Sequence, residues 1–570
     1  MRYPFFIIVF IGLFGCGQEV QNNPDTIIYN ANIYTVNEVQ SLAEGMAVKD
    51  GKIIAIGSTD EIKKLAGTNT ASVDAKGQFV MPGFIEGHGH FSGLGKSLMN
   101  LNFLKSKTWD EIVAMVADKA KNADPGEWII GRGWHQEKWS KTPDRNVDGY
   151  PYHDALSAAS PNNPVMLSHA SGHALFANQS AMELAGISPE TPDPIGGHIV
   201  RDDNKEALGV FEERAQQIIR AAYNEYLKSL SEKELTDDWY GGIRLAQEEC
   251  LKKGITSFQD AGSRYIEIDR YSDLATNGDL DLRLWVMLRH RYDTMKDKME
   301  GFPKINIGDH FFTCRAIKSE VDGALGAFGA WLLRPYRDKP DFHGQNTTPI
   351  KDVKNIADLA IAHDMQMCVH AIGDRANRVV LDIYEQVFSD HPQKQDIRWR
   401  IEHAQHLDTT DIPRFKSLGV IASMQGIHCT SDAPFVEKRL GQVRSQKGAY
   451  AWRSLLDKGV IIANGTDAPV EDVDPLPSFY ASVTRKRVDS GLEFFPEQSM
   501  TREEAIYSYT LGNAFAAFEE DWKGSLEVGK VADFVILSKD LIRCSDEEIL
   551  EAEVIATYVD GKEKYRNVSF

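Results

Sequence analysis

Cysteine, positive charge and long apolar runs are all scarce in this chain, and each shortage removes a class of protein. The sequence has 570 residues and six cysteines. With Cys16 set aside, Cys250, Cys314, Cys368, Cys429 and Cys544 are an odd number without regular spacing, which argues against a disulfide framework. Several lie in apolar segments, where cysteine acts as a small hydrophobe. Lysine and arginine total 63 against 83 aspartates and glutamates, a formal net charge of −20. No basic stripe offsets that charge, so nucleic acid is not an expected partner. There is neither an internal repeat nor a low-complexity tract.

The apolar run at residues 4–14 is too short to span a membrane as a mature helix. It follows Arg2 and precedes Gly15 and Cys16, the layout of a secretory signal. Leu13, Phe14, Gly15 and Cys16 resemble a bacterial lipobox, which implies a lipid on Cys16 and attachment to the membrane. Residues 1–16 then read as a lipoprotein-type signal and 17–25 as a polar tether. The expected location is the bacterial cell envelope.

The length is too great for one ordinary core and allows three or four units or one large barrel with attachments. Strand-like alternation fills the start of the chain, with Asp50 and Gly51 as a hairpin turn, and returns at the far end with Asp560 and Gly561. Each half alone is too small to bury a core, so residues 26–81 and 523–570 are expected to form one composite β-sandwich. Between them, apolar strand-like runs alternate with helical stretches. Eight candidate strands fall at 84–86, 255–260, 284–288, 314–320, 366–370, 398–402, 420–425 and 460–464. The fold class expected is α/β: a (β/α)8 barrel over 82–522. An α/β insertion at about 91–230 follows the first barrel strand, and Thr108 with Glu111 caps a helix in it.

Chemistry concentrates at the carboxyl ends of these strands, where barrel active sites sit. The stretch FIEGHGH at 84–90 places His88 and His90 two residues apart, on one face of a strand. The fourth strand carries Lys318 and Glu320, the fifth ends at His370, the sixth at His403, and the eighth leads to Asp467. Each alone fits a satisfied core or turn residue. Their joint placement points to a metal site.

At these residues the chain resembles the amidohydrolase superfamily, in the branch called amidohydrolase family 3, and is similar to N-substituted formamide deformylases. The motifs are PGFIEGHGH (82–90), GRGW (131–134), GHALFAN (172–178), IGGHIVRD (195–202), KSEVDGALG (318–326), HAIGDRA (370–376), RIEHAQ (400–405), GTDAP (465–469) and GKVADFVIL (529–537). The resemblance implies one or two divalent ions, with zinc the expected metal. It implies that His88 and His90 hold the deeper ion with Asp467, that His370 and His403 hold the second, and that a carboxylated Lys318 bridges them. Glu320, on the same strand face as Lys318, is the other candidate bridge.

A histidine and carboxylate site of this kind lowers the pKa of water to about 7. Asp467 is then the expected general base for attack on a small-molecule amide. Trp134, His173, Asp322 and Gln425 are the candidate substrate contacts. Trp134 fits a core aromatic equally well, Gln425 a partner for backbone groups, and Asp322 a residue that orients the bridge or starts a turn. The rival activities are hydrolysis of a cyclic imine, lactone or ester at the same site, or binding without turnover. A homodimer is left open.

Overall fold

The computed structural model describes residues 23–103, 105–136, 139–169, 174–326 and 328–569. The leader with Cys16, and His173, lie outside the described residues. Eight parallel strands run through the central sheet, with the short strand Lys304–Asn306 paired antiparallel at its side: β1 (Phe84–Gly89), β2 (Ile255–Ser263), β3 (Arg283–Leu288), β4 (Phe312–Glu320), β5 (Gln366–Ala371), β6 (Arg400–His403), β7 (Ile421–Gln425) and β8 (Ile462–Gly465). Each pairs in parallel with the next in chain order. The eight strands read from the sequence all fall on these elements. Long amphipathic helices cover the sheet from outside. Ser231 and Glu234 form the capping box that opens Glu232–Lys252. Asp374–Asp390 buries Val380, Leu381, Tyr384 and Val387 at three- and four-residue spacing.

Side chains close the seam between β1 and β8. Asn513 donates its amide to Ile85 O at 2.6 Å and Asn464 O at 2.8 Å, and its Oδ1 accepts from Asn464 N at 3.1 Å. Glu86 accepts from Thr466 N and Oγ1. The approach is close enough that a Cβ on Gly87 would lie 2.4 Å from Asn464 O, and one on Gly465 2.4 Å from Glu86 Oε1. Glycine at these two positions is a condition of closure.

Both ends of the chain build the flanking sandwich. One sheet runs Lys52–Gly57, Gly45–Lys49, Thr26–Tyr29, Ala71–Asp74; the other runs Lys562–Arg566, Val554–Val559, Phe534–Leu537, Phe79–Pro82, Asn32–Tyr34, Leu42–Ala43. Asp50, Gly51, Asp560 and Gly561 all have positive φ, as two-residue hairpin turns require. Ile28, Ile33, Met46, Val80, Phe534 and Ile536 fill the space between the sheets. Arg283, at the start of β3, donates to both oxygens of buried Asp533 at 2.7 and 3.1 Å and ties the barrel to the sandwich.

Between β1 and β2 lies a third, mixed sheet in the order Gly197–Arg201, Ala207–Glu213, Ala174–Ala177, Val165–His169, Ile129–Trp134, Leu101–Asn102. Its helices include Trp109–Ala120, whose cap is Thr108. Among the described residues no helix is long and apolar enough to cross a membrane.

Candidate metal centre

The barrel strands deliver their last residues to one place. His88 is fully buried at the end of β1, and its Nδ1 donates to Glu402. His403 ends β6, and its Nδ1 donates to Gln425 Oε1 at 2.7 Å. Both histidines are thereby held in the tautomer that carries its lone pair on Nε2, and such hydrogen bonds orient metal-binding imidazoles. The two rings lie 4.6 Å apart, and His370 lies 4.5 Å from His403. Asp467 Oδ1 is 3.3 Å from His90 Nε2 and 3.7 Å from His88 Nε2. Ligand atoms of His88, His403 and Asp467 all fall within 4.8 Å of one another. Lys318 Nζ sits 3.4 Å from His88 Nε2.

Two of these residues depart from regular strand geometry. His403 has φ 73° and Asp467 φ 61°, left-handed values that cost a non-glycine residue of order 1 kcal/mol or more. In a regular strand, Glu402 and His403 would face opposite sides; the turn at His403 brings both to the centre. Asp467 N donates to His88 O at 2.8 Å, which holds the other turn against β1.

Burial sets the charge states. It pushes His88 down to about 4 and His370 to about 3, and holds His403 well below its usual value. Lys318 is lowered by burial too, against the pull of Glu402 and Asp467. The three imidazoles present lone pairs near neutral pH. Burial raises Asp467, yet nearby His90 and the charges of His88 and His403 hold it well below the carboxylate range. The donor set of neutral imidazoles and a carboxylate therefore suits a divalent cation. His370 Nε2 and Asp467 Oδ1 are buried without a hydrogen-bond partner among the described residues, which a cation would satisfy.

Glu402 was not among the residues expected. Arg400 grips it through Nε and Nη2 at 2.7 and 3.0 Å and also donates to Gln259, Gly87 O and Ser423. Although burial pushes Glu402 upward, Arg400 and His88 hold it well below its usual range. The signal was present in RIEH, where residues 400 and 402 share a strand face. Asp260 is a second addition: it accepts from Phe91 N at 2.8 Å and fixes the turn after His90. His428 is a third, with Nε2 3.9 Å from Asp467 Oδ2.

The candidate substrate contacts fare differently. Trp134 is fully buried in the inserted sheet, donates to Leu167 O at 2.8 Å and packs on Trp139, His169 and Phe176. It is a core residue, because its whole ring is occupied by neighbours. Asp322 anchors backbone amides: it accepts from Trp331, Ile372 and Gly373 N at 2.7 to 2.9 Å. Burial pushes it up to about 7 against those three bonds, and it lies 3.8 Å from His370 Nε2. Gln425 orients His403. Glu320 pairs with Arg289, and both are about two-fifths exposed, whereas Lys318 is buried. They share the wall of a cavity of about 1000 Å³ that also reaches Lys318, His290 and Tyr292.

Residues 71–565 match the sequence profile of a family described as Amidohydrolase family. The chain is 31% identical over 550 residues to Protein LONG AFTER FAR-RED 3 of Arabidopsis thaliana, a match covering 95% of this chain and 91% of the relative. It is 28% identical over 570 residues to the N-substituted formamide deformylase of Arthrobacter pascens, covering 95% and 98%. A crystal structure of an uncharacterized metal-dependent hydrolase from Pyrococcus horikoshii superposes with TM-score 0.72 at 26% identity, covering 92% of this chain and 99% of that one.

Proposed function

Because the chain belongs to the amidohydrolase family, we propose that it hydrolyses a small non-peptide amide of the N-substituted formamide type, with Asp467 as general base. The observation that carries this reading is the convergence of two inward Nε2 lone pairs, from His88 and His403, on the Asp467 carboxylate. The likeness to a deformylase along nearly the whole chain supports an amide as substrate.

His88, His90, His370, His403 and Asp467 would hold one or two divalent ions, zinc being the metal proposed. Lys318 would join them as a carbamate: burial favours its neutral amine, the form that reacts with carbon dioxide. A bound divalent cation supplies Lewis acidity and acidifies water. Asp467 takes the proton of the attacking water and returns it to the departing amine nitrogen. Glu402 and Gln425 keep His88 and His403 in register throughout. The leader 1–16 supports export with a lipid on Cys16; a Cys16→Ser protein that stays in the membrane fraction counts against the anchor.

The test is elemental analysis of the chain lacking residues 1–16, with turnover of a panel of N-substituted amides and esters. Asp467→Asn should lower amide turnover by about 100- to 10,000-fold. Absence of both metal and amide turnover in the parent would remove this function, and turnover of esters alone would replace it.

A further inference from the structure

His428 stands in the first turn of the helix Gly426–Leu440, directly after β7, and none of the roles above uses it. Its side chain is 9% exposed, and its ring stacks on His403 with centroids 6.2 Å apart. The amide nitrogen of Gln405 lies 3.1 Å from Nδ1 and donates to it. Nδ1 is therefore the acceptor and the proton resides on Nε2. Nε2 lies 3.9 Å from Asp467 Oδ2, beyond hydrogen-bond reach, and has no partner among the described residues. A buried donor left unpaired costs free energy, so this one is complete only when an acceptor enters with a ligand.

The two oxygens of Asp467 divide the site. Oδ1 faces His90 and His88, and Oδ2 faces His428. His428 thus meets Asp467 at the oxygen that the β1 histidines do not face.

We propose that His428 is a catalytic residue whose Nε2–H donates to the carbonyl oxygen of the bound amide, in a tautomer fixed by Gln405. The inference rests on the amide-hydrolase reading and adds a residue to it. As the water oxygen bonds to the carbonyl carbon, charge grows on the carbonyl oxygen and the hydrogen bond from Nε2 strengthens. His428 keeps its proton: the water's proton passes to Asp467 and on to the amine nitrogen as the C–N bond breaks. Removing one such donor typically lowers kcat by about 100- to 1000-fold.

The experiment separates the two ring nitrogens. In the metal-loaded chain, His428→Gln places an amide nitrogen near the position of Nε2, and His428→Asn places one near Nδ1. His428→Asn should lower kcat about 100-fold with KM within about threefold of the parent and unchanged metal content, and His428→Gln should recover most of the loss. Parent-like kcat in His428→Asn overturns the proposal, as does loss of metal from either variant, which would make His428 a ligand. A second readout needs no substrate. In 15N-histidine-labelled protein, the ring signals that vanish in His428→Gln should report a protonated Nε2 and a bare Nδ1; the reverse tautomer overturns the proposal. A parent inert on every amide counts against the hydrolase reading alone, and the spectrum still decides which nitrogen of His428 faces the site.

Discussion

The centre of the barrel and the core of the inserted sheet are both closed to solvent, yet they are made of opposite materials. The barrel encloses Arg400, Glu402, Gln259, Lys318 and His88, nearly all hydrogen-bonded to one another. The insertion encloses Trp109, Trp134, Trp139 and Phe176 in ring contact. Burying charge is costly unless every group is paired, so the barrel spends packing freedom to hold a few side chains in fixed directions. The aromatic core sets no such directions. The difference teaches where chemistry belongs in this molecule: at the centre of the barrel, where side chains are held in fixed directions.

The sharpest way to press the comparison is with pH, because the barrel centre titrates. Unfolded histidines bind protons near 6.5, whereas buried His88, His370 and His403 do so only at about 4, about 3 and well below 6.5. Below about 6.5 the unfolded chain therefore binds more protons, and stability falls as pH falls. Glu402 and Asp467, held low, add to the fall at acid pH. Burial pushes Glu86 up to about 8 and Asp322 to about 7, so those two lose stability as pH rises towards those values. Metal-free protein should be most stable near pH 6.5. Urea midpoints at pH 4.5, 6.5 and 8 check this, and a midpoint still climbing at pH 8 contradicts a protonated Glu86.

Next in size is Glu402→Ala, which leaves Arg400 buried and unpaired. It should cost about 3–5 kcal/mol and weaken metal binding about 10- to 100-fold, measured by denaturation and metal competition. Trp134→Ala should cost about 3 kcal/mol or more through its cavity, with metal per folded chain unchanged. If stability held and KM moved, Trp134 would belong to the pocket after all. Asn513→Ala removes the three hydrogen bonds that Asn513 makes across the seam and should cost about 1–3 kcal/mol; an unchanged denaturation midpoint would mean that the β1–β8 seam closes without it.

The same contrast explains what could be read in the sequence. Eight strands were legible because each is a short apolar run between turn signals, and the convergence of His88, His370, His403 and Asp467 was legible because barrel sites sit at strand ends. Glu402 was missed although it precedes His403, because strand alternation puts neighbours on opposite faces; only the left-handed turn at His403 brings both inside. His428 carries no signal in the sequence, since its position depends on the helix that starts directly after Gln425. Trp134 and Asp322 looked like pocket residues by residue type and motif. Their neighbours, which no local pattern specifies, make one a core ring and the other an anchor for backbone amides.

The terminal sandwich has a consequence for how the protein is made. The strand Phe79–Pro82 lies between Asn32–Tyr34 and Phe534–Leu537, so its second neighbour leaves the ribosome only after the whole barrel. At roughly 5–20 residues per second, the nascent chain must carry Ile28, Ile33 and Val80 for tens of seconds before Phe534 and Ile536 cover them. The sandwich strands that precede the barrel are thus made before it and completed after it, with their apolar faces open to a chaperone during that interval.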